Sequence, residues 1–179
     1  MSEIRTLPLH SIAVRGRYGA EIGTPGVTLS IIYPVSLVSV IARKGKSKAL
    51  ASALAKIKNA TVMNAGPDQF YIQSALPLYA ELKSNLNGIA SVIDQSHGRV
   101  VIRIAGPKSC AVLAKGTPID LHTDHFPLNQ SAQTQMAHVG IHITRSGEDE
   151  FTLSVFRGFS ESFWEWLTLS SAEFGYIVQ

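Results

Sequence analysis

The sequence lacks the paired cysteines that stabilise many secreted proteins and the long apolar runs that cross membranes. Its 179 residues include a single cysteine, Cys110, so no disulfide can form within the chain, which favours a reducing compartment. No apolar run approaches the ~20 residues that span a bilayer. The N-terminus has neither the apolar core nor the small-residue cleavage site of a signal peptide. We therefore predict a cytoplasmic protein that does not interact with membranes.

Charge is also scarce, at 16% of residues, whereas 45% are hydrophobic. This composition is typical of a globular protein, with enough chain for one domain or two small ones sharing a core. The net charge is only +3, but an acid-free stretch collects six basic residues: Arg43, Lys44, Lys46, Lys48, Lys56 and Lys58. We interpret this stretch mainly as a solvated helix face. A surface for phosphates or an acidic protein is the alternative.

Hydrophobic periodicity and turn residues place the secondary structure. Residues 1–26 look irregular, and we predict a loose arm there. Strands are predicted at 27–33, 35–43, 69–74, 89–96, 99–106, 137–145 and 150–158. Helices are predicted at 47–57, after Pro77, at 108–116 and at 161–175. The strand at 99–106 is expected to form a hairpin with the strand at 89–96 through His97-Gly98, and 116–134 is expected to be a loop.

This order of elements indicates an α+β protein with two small, mainly antiparallel sheets and covering helices. We divide the chain into an N-terminal arm with the first strand (1–34), a first α+β half (35–95) and a second half (96–179). Because no linker separates the halves, we expect them to share a core.

Four histidines and two aspartates in a short stretch raise the question of a metal site: Asp120, His122, Asp124, His125, His138 and His142. Zinc catalysis requires three close protein ligands and one open position. If His138 and His142 lie on one strand, they are ~13 Å apart and cannot bind the same ion. We therefore predict no metal site. Asp120 is expected to accept hydrogen bonds from backbone N–H groups of a turn.

No other group of residues predicts chemistry. Cys110 lies among apolar residues of a short helix and is expected to be a core cysteine. Asp149 and Glu150 are adjacent in a turn, which does not suit a paired acid and base. We predict no catalytic and no cofactor-binding residue in this chain.

The last predicted helix contains two tryptophans on different faces. Phe163, Trp166, Leu167 and Phe174 form one apolar stripe, which we expect to be core. Trp164 falls off the centre of that stripe. We therefore predict that Trp164 lies at or near the surface and contacts a larger partner, since exposed tryptophans are typical contact anchors.

Several short motifs, in order, resemble the gamma subunit of heterotetrameric sarcosine oxidase over about residues 37–175. They are Gly66–Ile72, the D-x-S-x-G-R at Asp94–Arg99, Gly106-Pro107, Leu113–Leu121, Phe126–Thr134, Phe156–Leu167 and the terminal "EFG". Two features depart from the family pattern: Gly158 stands where a serine is expected, and the region 59–65 is short. The resemblance also extends to the gamma subunit of an N-methyl amino acid dehydrogenase of similar architecture, which would change the substrate of the complex but not the role of this chain.

The resemblance implies an accessory subunit with no active site of its own. In such a complex, sarcosine is oxidatively demethylated to glycine, and the one-carbon unit passes to tetrahydrofolate. FAD, FMN, NAD and tetrahydrofolate are expected in the partner alpha, beta and delta subunits. The fold is expected to be similar to part of the folate-binding aminomethyltransferase-like domains.

Two alternatives stay open beside this expectation. A stand-alone folate-binding or one-carbon transfer protein would need an acidic residue in a deep pocket to hold the pterin ring. Asp94 is the nearest candidate, although it is equally suited to capping a turn. An RNA-binding accessory protein would use the basic stretch at 43–58, which lacks the interleaved aromatics that stack on bases. We therefore expect no nucleic-acid partner.

Overall fold

A computed structural model describes residues 8–20, 23–33 and 36–179. The strands are β1 (Gly16–Tyr18), β2 (Val27–Ile31), β3 (Ser36–Ala42), β4 (Thr61–Gly66), β5 (Gln69–Ser74), β6 (Ala90–Asp94), β7 (Arg99–Ala105), β8 (Ser131–Met136), β9 (Val139–Gly147), β10 (Glu150–Phe156) and β11 (Tyr176–Val178). The α-helices are α1 (Ser47–Leu54), α2 (Tyr79–Asn85), α3 (Ser109–Ala114) and α4 (Ser160–Ser171). Short 3-10 helices, Arg157–Phe159 and Ala172–Phe174, flank α4.

The strands form two sheets. The larger has seven strands in the order β1-β11-β2-β7-β10-β9-β8, and the smaller has four in the order β4-β5-β3-β6. All neighbouring strands are antiparallel except β11 and β2, which run parallel. The predicted α+β class with mainly antiparallel sheets is confirmed.

Each sheet packs its own helices. The main core lies between the seven-stranded sheet and helices α3 and α4, and a second core lies between the four-stranded sheet and helices α1 and α2. A third, smaller cluster consists of Leu37, Met63, Ala65 and Tyr71. We expected one shared core, but among residues 8–20, 23–33 and 36–179 the buried apolar side chains of the two halves lie in separate clusters.

The predicted hairpin of 89–96 with 99–106 is wrong, because the chain changes sheets at this point. β6 pairs with β3, whereas β7 pairs with β2 and β10. Asp94 Oδ1 accepts hydrogen bonds from the Ser96 N–H (2.9 Å) and hydroxyl (2.6 Å). Ser96 Oγ in turn accepts the Leu37 N–H at 3.0 Å. These bonds hold the end of β6 beside β3, so that Arg99 starts a strand in the other sheet.

The N-terminal segment is not a loose arm in the part that the structure describes. Leu9 is only 3% exposed and belongs to the main core. β1 pairs with β11 at one edge of the seven-stranded sheet. Pro34 and Val35, at the predicted strand boundary, lie outside the described residues. None of the helices in the described ranges is long and apolar enough to cross a membrane.

We expect Gly106→Ala to destabilise the protein. Gly106 has a φ of +125°, and a Cβ there would lie 2.5 Å from the Gly26 carbonyl oxygen. A strained backbone of this kind costs about 1–3 kcal/mol, before the clash between backbone atoms is added. Urea unfolding should show a loss of at least that size. Gly158→Ala is the control, since a Cβ there meets nothing within 4 Å; equal stability of the two variants would contradict the expectation.

Candidate functional site

The histidine-rich segment is organised by Asp120. Its Oδ1 accepts the His122 N–H at 2.9 Å, and its Oδ2 lies 2.6 Å from His125 Nδ1. These hydrogen bonds lower the pKa of Asp120 because they stabilise the carboxylate. The bond from the His122 backbone has the larger effect, and the bond from His125 the smaller. The predicted role of Asp120 in satisfying a turn N–H is confirmed.

The four histidines do not converge on one point. His122 and His125 are exposed, with ring centroids 6.3 Å apart. His138 is not on the strand that we predicted: it lies in the β8–β9 turn with a φ of 65°, whereas His142 is on β9. Across residues 8–20, 23–33 and 36–179, no three His, Cys, Asp or Glu side chains are placed to hold one metal ion. A metal-free protein stays a prediction.

The buried residue behind the histidine-rich segment is Arg145, which the sequence analysis did not identify. Its side chain is among the largest that are fully buried, at 2% exposure. Nε donates to the Phe126 carbonyl at 2.7 Å, and the other guanidinium nitrogens donate to the carbonyls of Leu121 and Glu148. The guanidinium also lies over the Phe151 ring at 4.6 Å. Arg145 therefore binds the loop to the main sheet through backbone acceptors.

Other candidate residues have structural roles. Cys110 is half-buried against the main core, and its Sγ lies 3.8 Å from Arg145. Asp94 is exposed. The pKa of its carboxyl is lowered mainly by the hydrogen bond from the Ser96 hydroxyl. Glu150 pairs with Arg103 at 3.8 Å, and the Asp149 carbonyl accepts the Gly106 N–H at 2.9 Å. The six basic residues at 43–58 are all exposed, as a solvated face requires.

The two sheets meet at His142. This side chain is 1% exposed, and its Nε2 lies 2.7 Å from the Asn64 carbonyl oxygen, so Nε2 carries the proton. Its ring meets the Tyr71 ring edge-on, with centroids 5.1 Å apart. Asn64 and Tyr71 belong to the small sheet and His142 to the large one. A neutral histidine therefore joins the halves.

Arg99 extends this junction to the motif at the end of β10. Its guanidinium donates to the Tyr71 hydroxyl at 2.9 Å and lies 4.0 Å from the centre of the Phe156 ring. The Arg157 N–H donates to the Gly98 carbonyl at 2.9 Å. The Asp94–Arg99 and Phe156–Leu167 motifs, which are distant in sequence, therefore touch. The two motifs together form the junction at which the chain passes from β6 of the small sheet to β7 of the large sheet.

The buried histidine predicts a pH-dependent stability. Burial, followed by the nearby Arg99 charge, lowers the pKa of His142, against the opposing effect of the Asn64 hydrogen bond. The unfolded chain therefore binds a proton more readily, and the free energy of unfolding falls as pH drops below about 6.5. One such group contributes a slope of at most ~1.4 kcal/mol per pH unit.

Urea unfolding from about pH 7 to pH 5 tests this expectation. His142→Gln keeps a donor for the Asn64 carbonyl and removes the titration, so its slope should be shallower. His138→Asn is the control, because His138 is exposed and asparagine tolerates the left-handed backbone there. A slope that is unchanged in His142→Gln would contradict the assignment.

Trp164 is buried rather than exposed, so its predicted surface position is wrong, whereas its predicted contact with a partner stays a prediction. It is 4% exposed in the main core, together with Phe163 and Leu167, whereas Trp166 is half-buried. The N-terminal segment contributes to the same core: Leu9 belongs to the cluster that contains Trp164, and Ala13 packs against that cluster. The remaining edge of Trp164 lines an open groove beside β1.

Comparisons with known proteins agree with each other. A model described as the sarcosine oxidase, gamma subunit family matches residues 28–173. The sarcosine oxidase subunit gamma of Corynebacterium sp. (strain U-96) is 28% identical over 135 residues, which is 73% of this chain and 65% of the relative. That of Arthrobacter sp. is 33% identical over 112 residues, 61% of this chain and 55% of the relative. The chain thus spans between about half and two thirds of these relatives' lengths.

Two solved structures share the fold. One is a chain of heterotetrameric sarcosine oxidase from Corynebacterium sp. U-96 in complex with pyrrole 2-carboxylate, with a TM-score of 0.77, 27% identity and 88% coverage of each chain. The other is the glycine cleavage system aminomethyltransferase T from Bartonella henselae. Its TM-score is 0.61 at 20% identity, over 92% of this chain and 58% of that one. The predicted similarity to the aminomethyltransferase fold is confirmed.

Proposed function

This chain belongs to the sarcosine oxidase gamma subunit family, and on that premise we propose that it is the accessory gamma subunit of a multi-subunit, flavin-dependent sarcosine oxidase. The complex would demethylate sarcosine oxidatively to glycine and transfer the one-carbon unit to tetrahydrofolate. The observation that carries this proposal is the family match over residues 28–173, supported by the likeness to a chain of the heterotetrameric enzyme.

The proposal assigns the chemistry to other subunits. We propose that alpha, beta and delta subunits hold FAD, FMN, NAD and tetrahydrofolate, and that the assembly is cytoplasmic. The polar side chains of Asp120, Asp94 and Arg145 support this division, because each is hydrogen-bonded to the protein's own backbone. The one-carbon transfer alternative rests on fold likeness alone, which does not establish function.

The test is to compare the isolated chain with the complete assembly. Purified alone, the chain should show no visible flavin absorbance and no sarcosine oxidation. When it is tagged and co-expressed with the alpha, beta and delta subunits, it should retain a yellow complex that oxidises sarcosine. A flavin that stays with the isolated chain through gel filtration would contradict an accessory role. An active complex that never contains the chain would remove it from the assembly.

A further inference from the structure

A groove with an apolar floor and an acidic rim runs beside the edge of the seven-stranded sheet. It has a volume of about 830 Å³ and lies between helix α4, strands β1 and β11, and the segment before β1. From α4 it takes Glu161, Trp164, Glu165 and Thr168, whose spacing of three or four residues places them on one helix face. Trp164 thus forms part of the floor, with a carboxylate on either side along the helix.

The opposite wall exposes large apolar side chains. Ile12 is 43% exposed, Val14 57% and Tyr18 37%. Tyr18 stacks on Tyr176, with ring centroids 5.3 Å apart, and both line the groove. Single exposed apolar residues are ordinary, but several that line one groove mark a contact surface.

The charge of the groove is opposite to that of the chain. The protein carries a net charge of +3, yet the only charged residues among the described lining are Glu161 and Glu165. Neither carboxylate takes part in an ion pair within the described ranges. Like charges at i and i+4 destabilise a helix slightly. A cation from another chain would relieve this repulsion.

We propose that this groove binds an apolar segment of another subunit that inserts an arginine between Glu161 and Glu165; this inference rests on the proposed function. Arginine fits because its planar guanidinium binds carboxylates and stacks on aromatic rings such as Tyr18. The apolar neighbours of that arginine cover Ile12, Val14 and the edge of Trp164. In this arrangement Trp164 contributes to the main core and also lines the groove that the partner segment would fill.

A second copy of this chain suits the groove less well. A two-fold symmetric contact places the same surface on itself, so four carboxylates would face one another. A contact between the groove and the basic stretch at 43–58 of another copy would be head-to-tail, and such contacts extend into open filaments or rings. Charge complementarity therefore favours a different subunit.

Photocrosslinking in the assembled complex identifies the occupant. We would place p-benzoylphenylalanine at Ser162, which is exposed on the groove, and as a control at Leu128, which is exposed outside it. The expected result is a crosslink from position 162 to one subunit, within a peptide that contains arginine and apolar residues. A crosslink to a second copy, to this chain's residues 1–7, or to nothing in an intact complex would overturn the proposal.

Charge reversal tests the role of the two carboxylates. With the tag on the alpha subunit, Glu161→Lys/Glu165→Lys should lower the amount of this chain per alpha subunit at least about tenfold, because like charges would then meet at the contact. Glu81→Lys/Glu148→Lys changes the net charge equally at exposed positions outside the groove and should leave the ratio unchanged.

The outcomes separate the two claims. If the wild-type chain never co-purifies, the proposed function fails. If the wild-type chain co-purifies and the groove variant does so equally well, the groove proposal alone fails. Circular dichroism of the variant shows whether the fold is kept; a folded variant that has lost assembly supports the groove contact. If the lysine variant does not fold, Glu161→Gln/Glu165→Gln gives the same comparison, with a smaller loss expected and an unchanged ratio counting against the proposal.

Discussion

Arg145→Met is expected to lower the free energy of unfolding by about 2–6 kcal/mol. Methionine keeps an unbranched apolar stem but leaves the buried carbonyls of Phe126 and Leu121 without a donor. Each unsatisfied buried acceptor costs ~1–3 kcal/mol. Arg145→Lys should lie between methionine and the wild type, because an ammonium group cannot reach all the acceptors of a planar guanidinium. Urea unfolding of the purified chain measures all three.

Arg103→Met is the matched control. Arg103 lies in β7, which β10 separates from the β9 strand of Arg145. Its side chain is 41% exposed, and its loss should change stability by about 0.5 kcal/mol or less. Hydrogen exchange adds a local measurement. In Arg145→Met the amides of residues 121–130 should lose protection more than those of the small sheet. If Arg145→Met and Arg103→Met are equally stable, Arg145 does not hold the loop.

Trp164→Ala should destabilise the fold by about 3–5 kcal/mol, as large-to-small changes of buried aromatics do. For a protein of this size, that loss lowers the melting temperature by roughly 6–20 °C, at ~2–4 °C per kcal/mol. The physical reason is the cavity that the smaller side chain leaves in the main core, to which Trp164 belongs. Thermal unfolding followed by circular dichroism is the measurement.

Leu169→Ala provides the comparison on the same helix, since Leu169 is 69% exposed and its melting temperature should stay near that of the wild type. Trp164→Phe, which refills part of the cavity, should recover part of the loss. A Trp164→Ala protein with a normal melting temperature would show that the side chain is not in the core.

The fold class could be predicted from the sequence because each element has a local cause. Val100, Ile102 and Ile104 alternate with Val101, Arg103 and Ala105, and the first three are fully or nearly fully buried in β7. The β9–β10 hairpin also follows from local features, namely alternation on both sides of a polar turn. Elements whose hydrophobic alternation and turn residues lie close together in the chain could therefore be predicted from the sequence.

The pairing of strands that are distant in the chain could not be predicted from the sequence. Nothing near 89–106 shows that β6 and β7 belong to different sheets, because the deciding bond joins Ser96 to Leu37, 59 residues away. β4 escaped prediction since it is a sheet edge with exposed Thr61 and Val62, and β11 is only three residues long. β8 escaped for a similar reason, as it carries a mostly polar sequence at the opposite edge of the large sheet.

The same limit applies to the candidate site. Arg145 looked like an ordinary charged residue at the end of a strand, and only its backbone partners at 121, 126 and 148 show its role. Trp164 is buried although it lies off the apolar stripe, because a helical wheel shows one helix and takes no account of the other elements that form the core. A signal was present in the apolar residues Leu9 and Ala13, which pack in the main core and which an unpacked arm would not require.

The central claim is that this chain is a stoichiometric part of a larger oxidase, and the mass of the purified assembly tests it most directly. The chain would be tagged, co-expressed with the alpha, beta and delta subunits, and analysed by native mass spectrometry. The account predicts one particle that contains one copy of each of the four subunits. A tagged chain found only by itself or with its own copies, while the other three subunits form an active complex without it, would contradict the account.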